Sequence, residues 1–442
     1  MSEYVFGLNK SGLSVIKLLR NQKKTFDCWD DSKKVRQILK KKFSYLNFIS
    51  PISANLIKYD NIYLTPGVSL NDKKFIKVPK LKIKRDLNLY YQNIKKEKII
   101  AITGTNGKST TTKLIGEILK RKFKNTFVGG NIGDALCNSI LKKKHFSYHV
   151  IELSSFQLET IKNFEPRISI LLNLSKDHLD RYKNLNQYIN AKKNILNFKS
   201  GNINLISIDD KYSQKIFNDH KLKNKISFSL KNKNADIYFN NGFIIDRYFG
   251  KFKKLKLNNI SLDLSNTYNL QNILVSYIVS KYLKIPIKFF RERIKNFRGL
   301  PFRSSIIYNS NSKIIINNSK ATNVNSALVT LENKKNIYLI LGGLSKKDDN
   351  FYHFNKYKSK INQIYIYGKS RSLIKKQLGM PKISQVFISL DNAVKNLWKD
   401  SSSFNGKATI IFAPGCASFD QFENFEKRGD YFNKLIHYKF NK

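Results

Sequence analysis

Hydrophobic positions along this chain alternate between two rhythms. Unbroken apolar runs, as expected of strands buried on both faces, give way to glycine- or serine-containing turns. Segments with apolar residues three and four apart, the helical spacing, then follow. The first such unit is "EYVF", a turn with Gly7 and Gly12, then a helix carrying Leu13, Ile16, Leu18 and Leu19. "TFDCWDD" is a second strand ending in Asp30 and Asp31, and "NIYLTPGVSL" (61–70) a third running into a Pro-Gly turn. A polar connector (91–98) separates these from "IIAITGTNGKSTTTKLIGEIL", where the alternation restarts and continues through "YHVIELSSFQLE", "RISILLNLSKDHLD" and "GNINLISIDD". "NKISFSL" and "ADIYFNNGFIID" read as antiparallel additions, and "NTYNLQNILVSYIVSKYLKI" as a helix. After a break near Phe297 the pattern returns in "KIIINNSKATN", "NIYLILGGLSKKDD", "QIYIYGKS" and "ATIIFAPGCASFDQFENF". The expectation is an α/β protein of three domains, at 1–92, 93–297 and 298–442. The outer two are Rossmann-like and the central one is a P-loop, mononucleotide-binding domain.

A chain of 442 residues, 41% apolar and 13% aromatic, is long enough for several packed cores. No window is long and apolar enough for a membrane span, and the first residues read as a strand and not a signal peptide. Cys28, Cys137 and Cys416 lie far apart with no C-x-x-C spacing, which argues against a disulfide framework or zinc site and for a reducing cytoplasm. The net charge of +50 would attract polyanions. Its lysines are spread along the whole length, with no basic tail, arginine cluster or nucleic-acid module. It therefore describes a surface, and no nucleic-acid partner is expected.

The chemistry starts at Gly104-Thr105-Asn106-Gly107-Lys108-Ser109-Thr110. Glycines between strand and helix let backbone N–H groups approach an anion, the lysine reaches terminal phosphates, and a hydroxyl at the helix start suits Mg²⁺. The general P-loop pattern has a glycine where Ile102 stands, so this is a shorter form of it. The first unit is less specific. Asp30 and Asp31 follow its glycines by roughly twenty residues, as in nucleotide-binding βαβ units, but the spacing is not G-x-G-x-x-G. A generic sharp strand-to-helix turn fits equally.

The TGTNGKS form resembles that of the Mur ligases and folylpolyglutamate synthetases. "TPGVSL", "VGGNIG", "IELSSFQLE", "KDHLDRY", "SKATN" and "PGCASFDQFENFEKRG" stand in the order found in the D-glutamate-adding branch of the Mur ligases. The resemblance runs from residue 5 to about 435. It implies an ATP-dependent amide ligase that adds D-glutamate to UDP-N-acetylmuramoyl-L-alanine through an acyl phosphate, in cytoplasmic peptidoglycan precursor synthesis, and that works as a monomer.

By the same resemblance, Lys108 neutralises the transferred phosphoryl group. Ser109 and Glu152 bind a first Mg²⁺, and His178 a second. Glu152 has the alternative of capping a helix, and His178 that of a structural histidine. Lys192 aligns with a lysine that the family carbamylates into an anionic metal ligand. Lys193 is adjacent, and the Ala-Lys pair at 191–192 favours the first. Asn269, Arg303 and Lys320 correspond to ATP contacts, and Lys10, Ser11, Asp30, Asp31, Thr65, Gly67 and Asn131 to contacts with the UDP-linked substrate. Thr322, Lys346, Ser418 and Phe425 correspond to positions gripping D-glutamate. Tyr268 and Phe302 stand where histidines are common, Asn318 replaces an aspartate, and "GGLSKKDD" replaces GGDGK. Another ligase of the superfamily is the nearest rival, disfavoured by "SFQLE" and "CASFDQF"; a basic nucleic-acid-binding ATPase is the rival from another class.

Overall fold

The computed structural model describes residues 2–94, 96–142, 144–179, 181–196, 201–250, 253–261, 264, 267–347 and 349–440. They group into two compact units. One is Met1–Lys176, Arg181–Asn258 and Gln271–Arg293; the other is Asp177–Asp180, Asn259–Leu270 and Ile294–Lys442.

The first unit holds two sheets. β1 (Ser2–Phe6), β2 (Thr25–Trp29), β3 (Asn61–Leu64) and β4 (Ile83–Lys84) form a parallel sheet in the order β2-β1-β3-β4. Between β1 and the helix Lys10–Asn21 the turn is tight. Gly7 has φ +87°, and a methyl on Gly12 would run into the Gly7 carbonyl, so neither position takes a side chain easily.

The second sheet contains β5 (Lys98–Thr103), β6 (Thr126–Gly130), β7 (Tyr148–Glu152), β8 (Ile168–Leu171), β9 (Ile203–Ser207), β10 (Lys225–Ser229), β11 (Ile237–Asn240), β12 (Phe243–Asp246) and β13 (Lys253–Lys256). Their order is β13-β12-β11-β10-β9-β8-β5-β7-β6. The expectation that "NKISFSL" adds antiparallel is wrong. β10 is parallel to β9, and β11 to β10. The helix Lys211–Phe217 carries the chain back between β9 and β10, as a parallel pair requires. Direction reverses first at the Asn241-Gly242 turn, where φ is +44° and +82°, and β11-β12 and β12-β13 are antiparallel.

One core joins the two sheets. Leu18 and Leu19 from the first helix, Leu87 and Tyr90 from the helix Asp86–Gln92, Leu136 and Cys137 from the helix Leu136–Leu141, and Phe127 of β6 belong to the same buried cluster. Within it, Tyr90 Oη lies 2.9 Å from His149 Nδ1, and the ring of His149 contacts those of Phe127 and Phe146.

The second unit carries β14 (Ser305–Asn309), β15 (Lys313–Asn317), β16 (Ile337–Gly342), β17 (Ile361–Tyr367), β18 (Ser384–Phe387) and β19 (Ala408–Gly415), in the order β14-β15-β19-β16-β17-β18. Only the edge strand β14 runs antiparallel to its neighbour. Alternate residues enter opposite cores: Ile316, Leu339, Leu341 and Ile411 on one face, Ile315, Tyr338, Ile340, Ile410 and Phe412 on the other. Burial on both faces is why these strands read as continuous apolar runs. The α/β class and the three sheets agree with the sequence. Among the described residues, no helix is long and apolar enough to cross a membrane.

Candidate active site

The phosphate loop lies at the carboxyl end of β5. Its helix, Lys108–Lys122, starts from Gly107, which has φ +84°. Neighbouring strands fix the loop. Thr105 N–H donates to the Asn173 carbonyl (2.9 Å) and Asn106 N–H to Asn173 Oδ1 (2.8 Å). Asn173 in turn donates to Gln271 Oε1 at 2.8 Å. Thr111 donates to Asn272 Oδ1 at 2.9 Å, tying the helix start to the helix Thr267–Tyr282. Lys108 Nζ donates to the carbonyls of Gly104 (2.9 Å) and Thr105 (2.8 Å).

Lys192 is 2% exposed, and its Nζ donates to the Gly104 carbonyl at 2.7 Å. Lys193 points elsewhere, to Asp219 at 3.1 Å. Of the two adjacent lysines, the structure brings Lys192 to the phosphate loop.

Glu152 ends β7, which pairs with β5, and is 1% exposed. It accepts a hydrogen bond from Asn131 Nδ2 at 2.8 Å. The helix that follows, Ser155–Leu158, is capped by Ser154, so capping is not the task of Glu152. Ser109, also buried, is the second residue of the phosphate-loop helix. Among the described residues, no three or more His, Cys, Asp or Glu gather where they could hold a metal alone. A hydroxyl in the first turn of the phosphate-loop helix and a carboxylate at the end of β7, the strand beside β5, do fit Mg²⁺, which takes few protein ligands and completes its shell with phosphate and water oxygens.

Around the first sheet, Ser11 bonds the buried carboxylate of Asp86, whose affinity for a proton is raised by burial. Lys10 donates to the Gly133 carbonyl of the "GGNIG" segment. Asp30 is occupied inside the protein: its carboxylate accepts from Leu8 N–H at 2.7 Å and Ser32 N–H at 2.9 Å, bracing the glycine turn. Asp31, exposed, pairs with Lys74 at 2.5 Å. The Thr65 carbonyl accepts from Arg85 at 2.7 Å, and Gly67 faces open space.

The remaining candidates lie in the second unit. Thr322, Lys346 and Ser418 follow β15, β16 and β19, at the carboxyl edge where parallel sheets place their ligands. The loops are bonded together, Gly415 N–H to the Ala321 carbonyl (2.9 Å) and Leu344 and Ala417 to each other (2.9 Å each way). Lys320 Nζ lies 5.1 Å from the ring centre of Phe425, the first residue of the helix Phe425–Phe440. Lys346 pairs with Asp177 at 2.8 Å, and its N–H donates to Asp349, whose carboxyl burial lifts to about 6 against the pull of Lys346. His178 adjoins this pair, with φ +57° and 35% side-chain exposure. Asn269 is buried near the start of its helix, and the Arg303 N–H donates to the Leu300 carbonyl at 3.2 Å. The Tyr268 side chain lies outside the described residues. Phe302 accepts from Lys320 N–H, and Asn318, neutral and buried, donates to Thr330 at 2.7 Å.

Residues 102–280 match the Mur ligase middle domain family. The chain is 35% identical to a UDP-N-acetylmuramoylalanine–D-glutamate ligase of Rickettsia bellii and 36% to one of Rickettsia prowazekii, over 98% of this chain and 96% of each relative. The chain belongs to the UDP-N-acetylmuramoylalanine–D-glutamate ligase family. Among solved structures, the ligase resembles the UDP-N-acetylmuramate-alanine ligase MurC of Thermotoga maritima, with TM-score 0.61 and 18% identity over all of both chains. It also resembles the MurF ligase of the same organism in complex with ADP, with TM-score 0.61 and 15% identity over 99% of this chain and 98% of that one. At those identities the likeness is one of fold.

Sequence reasoning missed two residues of the ligase that organise these loops. Tyr188, one helical turn before Lys192, meets Thr105 Oγ1 at 2.9 Å, and the i, i+4 spacing was the available signal. Arg428, fully buried, donates to Ser319 Oγ (3.0 Å), the Ser319 carbonyl (2.7 Å) and the Cys416 carbonyl (3.0 Å). It thereby joins the "SKATN" and "GCASF" loops. Among the charged neighbours of "FEKRGD", nothing in the local pattern marked this arginine for burial.

Proposed function

We propose that this ligase joins D-glutamate to the L-alanine carboxylate of UDP-N-acetylmuramoyl-L-alanine, with ATP converted to ADP and phosphate, as a step in peptidoglycan precursor synthesis. The observation that carries the reading is similarity to ligases of that name over 98% of this chain and 96% of theirs. A carboxylate is a poor acylating agent, because its leaving group would be an oxide. Transfer of the γ-phosphoryl to it gives an acyl phosphate. The amine of D-glutamate then attacks the carbonyl carbon, and the tetrahedral intermediate expels phosphate. The protein's part is to position the groups and neutralise charge.

In this proposal, Gly104, Thr105, Asn106, Gly107, Ser109 and Thr110 cradle the phosphates. Lys108 exchanges its two loop carbonyls for phosphate oxygens. Ser109 and Glu152 would hold one Mg²⁺, and His178 with a carbamylated Lys192 a second; the metal would supply further neutralisation of phosphate charge. Asn269, Arg303 and Lys320 contact ATP. Thr322, Lys346, Ser418 and Phe425 grip D-glutamate, a dicarboxylate that calls for a cation, hydroxyls and backbone N–H groups. Lys10, Ser11, Asp30, Asp31, Thr65, Gly67 and Asn131 contact the UDP-linked substrate, with Asp30 also bracing the glycine turn. The division into domains at 1–92, 93–297 and 298–442, a cytoplasmic setting and a single working chain belong to the same proposal, and three buried free thiols favour a reducing compartment.

The test is phosphate release with ATP, Mg²⁺ and UDP-N-acetylmuramoyl-L-alanine. Turnover with D-glutamate and none with L-glutamate, L-lysine or meso-diaminopimelate is expected. Turnover with another of these amino acids would overturn the D-glutamate assignment.

A further inference from the structure

Glu159 ends the segment "ELSSFQLE" and Arg181 belongs to "KDHLDRY". Their side chains meet beneath the turn Thr65–Val68 that follows β3. Arg85, just after β4 and fully buried, donates to the carbonyls of Leu64 (3.0 Å), Thr65 (2.7 Å) and Val68 (3.0 Å). Arg181 donates to those of Pro66 (2.5 Å) and Val68 (2.6 Å). Guanidinium groups thus hold the carbonyls of Leu64, Thr65, Pro66 and Val68. Glu159 lies between the two cations, 2.6 Å from Arg85 and 3.7 Å from Arg181. The Arg181 guanidinium also lies 3.7 Å from the ring centre of Phe156, within the same "ELSSFQLE" segment.

This geometry does two things to the turn. A trans peptide points its C=O and N–H in opposite directions. With the Pro66 carbonyl drawn toward Arg181, the N–H of Gly67 is aimed the opposite way, and a side chain at Gly67 would meet nothing within 4 Å. In addition, the two guanidinium groups face the Glu159 carboxylate, and Arg85 also neighbours the buried carboxylate of Asp86, so the turn rests on a braced ion cluster. An outward donor on a turn held in place in this way suits an oxygen-rich anion such as a nucleoside diphosphate.

We propose that Arg85, Glu159 and Arg181 form a clamp that presets the Thr65–Val68 turn for the UDP-linked substrate, and that they are positioning residues for that substrate alone. This rests on the assignment of Thr65 and Gly67 to that substrate. Arg181→Lys tests it, because a lysine keeps the charge but lacks the fork that spans Pro66 and Val68. The KM for UDP-N-acetylmuramoyl-L-alanine is expected to rise about tenfold, the effect of one weakened charge-assisted hydrogen bond. The KM for ATP, the KM for D-glutamate and kcat should stay within about twofold, since uniform binding of one substrate is what is lost. An unchanged nucleotide KM, or an equal rise in all three, would overturn the clamp. Should Arg181→Lys fail to fold, the double variant Arg85→Met/Glu159→Leu removes a buried cation together with the anion it pairs with, while Arg181 keeps the Pro66 and Val68 carbonyls and the ring of Phe156; the same selective rise is expected of it. Calorimetric titration of the unaltered enzyme with UDP-N-acetylmuramoyl-L-alanine separates the two layers. No binding there would overturn the substrate assignment, whereas binding that the variants match would overturn the clamp only.

Discussion

Two ammonium groups, those of Lys108 and Lys192, share the Gly104 carbonyl at 2.9 and 2.7 Å. Placing like charges on one acceptor is favourable only where an anion or loss of one charge relieves the repulsion, which is the expected condition of a phosphate site. His149 is the opposite case, a titratable group with no part in the proposed chemistry. It is 1% exposed, and burial depresses its pKa from 6.5 to about 4, with the nearby charge of Glu97 opposing. The fold therefore requires neutral imidazole. The stability this contributes is complete above pH 6.5 and is lost as pH falls toward 4, because the unfolded chain takes up the proton first. Between pH 7.5 and pH 5 the loss amounts to about 2 kcal/mol. Other groups, such as Asp349, titrate over the same range, so the difference is what counts. In urea unfolding, the change from pH 7.5 to pH 5 should be about 2 kcal/mol less favourable in the natural protein than in His149→Gln, which cannot take up this proton. Equal losses would remove His149 from the linkage.

Among the elements, the strand–turn–helix at β5 is the most constrained. Gly107 has φ +84°, and a methyl there would lie 2.7 Å from Asn272 Oδ1, the atom that accepts from Thr111. Gly107→Ala must either bear the left-handed strain of about 1–2 kcal/mol or move the turn. A turn that cradles phosphates will then bind them less well, and the KM for ATP should rise at least about tenfold, as one or two distorted hydrogen bonds would require. A KM unchanged in this variant would mean that phosphates bind elsewhere. This element was fully legible in the sequence, because glycine, lysine and hydroxyl each have one physical reason to stand there. The four central strands of the six-stranded sheet, β15, β19, β16 and β17, were legible too as apolar runs, unlike the half-exposed edge strands β14 and β18. Pairing direction in β10 and β11 was not. Parallel and antiparallel partners have the same local pattern, and only the Asn241-Gly242 turn declared its geometry. Asp30 shows another limit, since its bracing of the turn through the Leu8 and Ser32 N–H groups has no signature in sequence. Arg85 and Arg428 were illegible as well, because what they bind is backbone, which carries no sequence signal at the distant partner.

For the molecule as a whole, 81 Lys and Arg against 31 Asp and Glu must have a physical consequence even if no dedicated partner exists. Both nucleotide substrates of the proposed reaction are polyanions. A positive charge spread along the whole chain raises their local concentration without choosing where they bind, so it acts on encounter more than on the chemical step. At 0.15 M salt the screening length is only about 8 Å, so a distributed charge contributes mainly at low ionic strength. The kcat/KM for ATP and for UDP-N-acetylmuramoyl-L-alanine should therefore fall several-fold between about 0.02 and 0.3 M salt, while kcat stays nearly constant. Heparin provides the complementary measurement. The protein should bind it at low salt, and saturating UDP-N-acetylmuramoyl-L-alanine should leave the elution salt unchanged, because lysines spread over the chain are not gathered in the substrate site. If the substrate released the protein from heparin, the polyanion would be using the same groove, and a nucleic-acid-binding ATPase would become the better account of the charge. Elution indifferent to substrate, beside salt-sensitive kcat/KM, would identify the charge as a property of the surface that speeds anionic substrates toward a site it does not build.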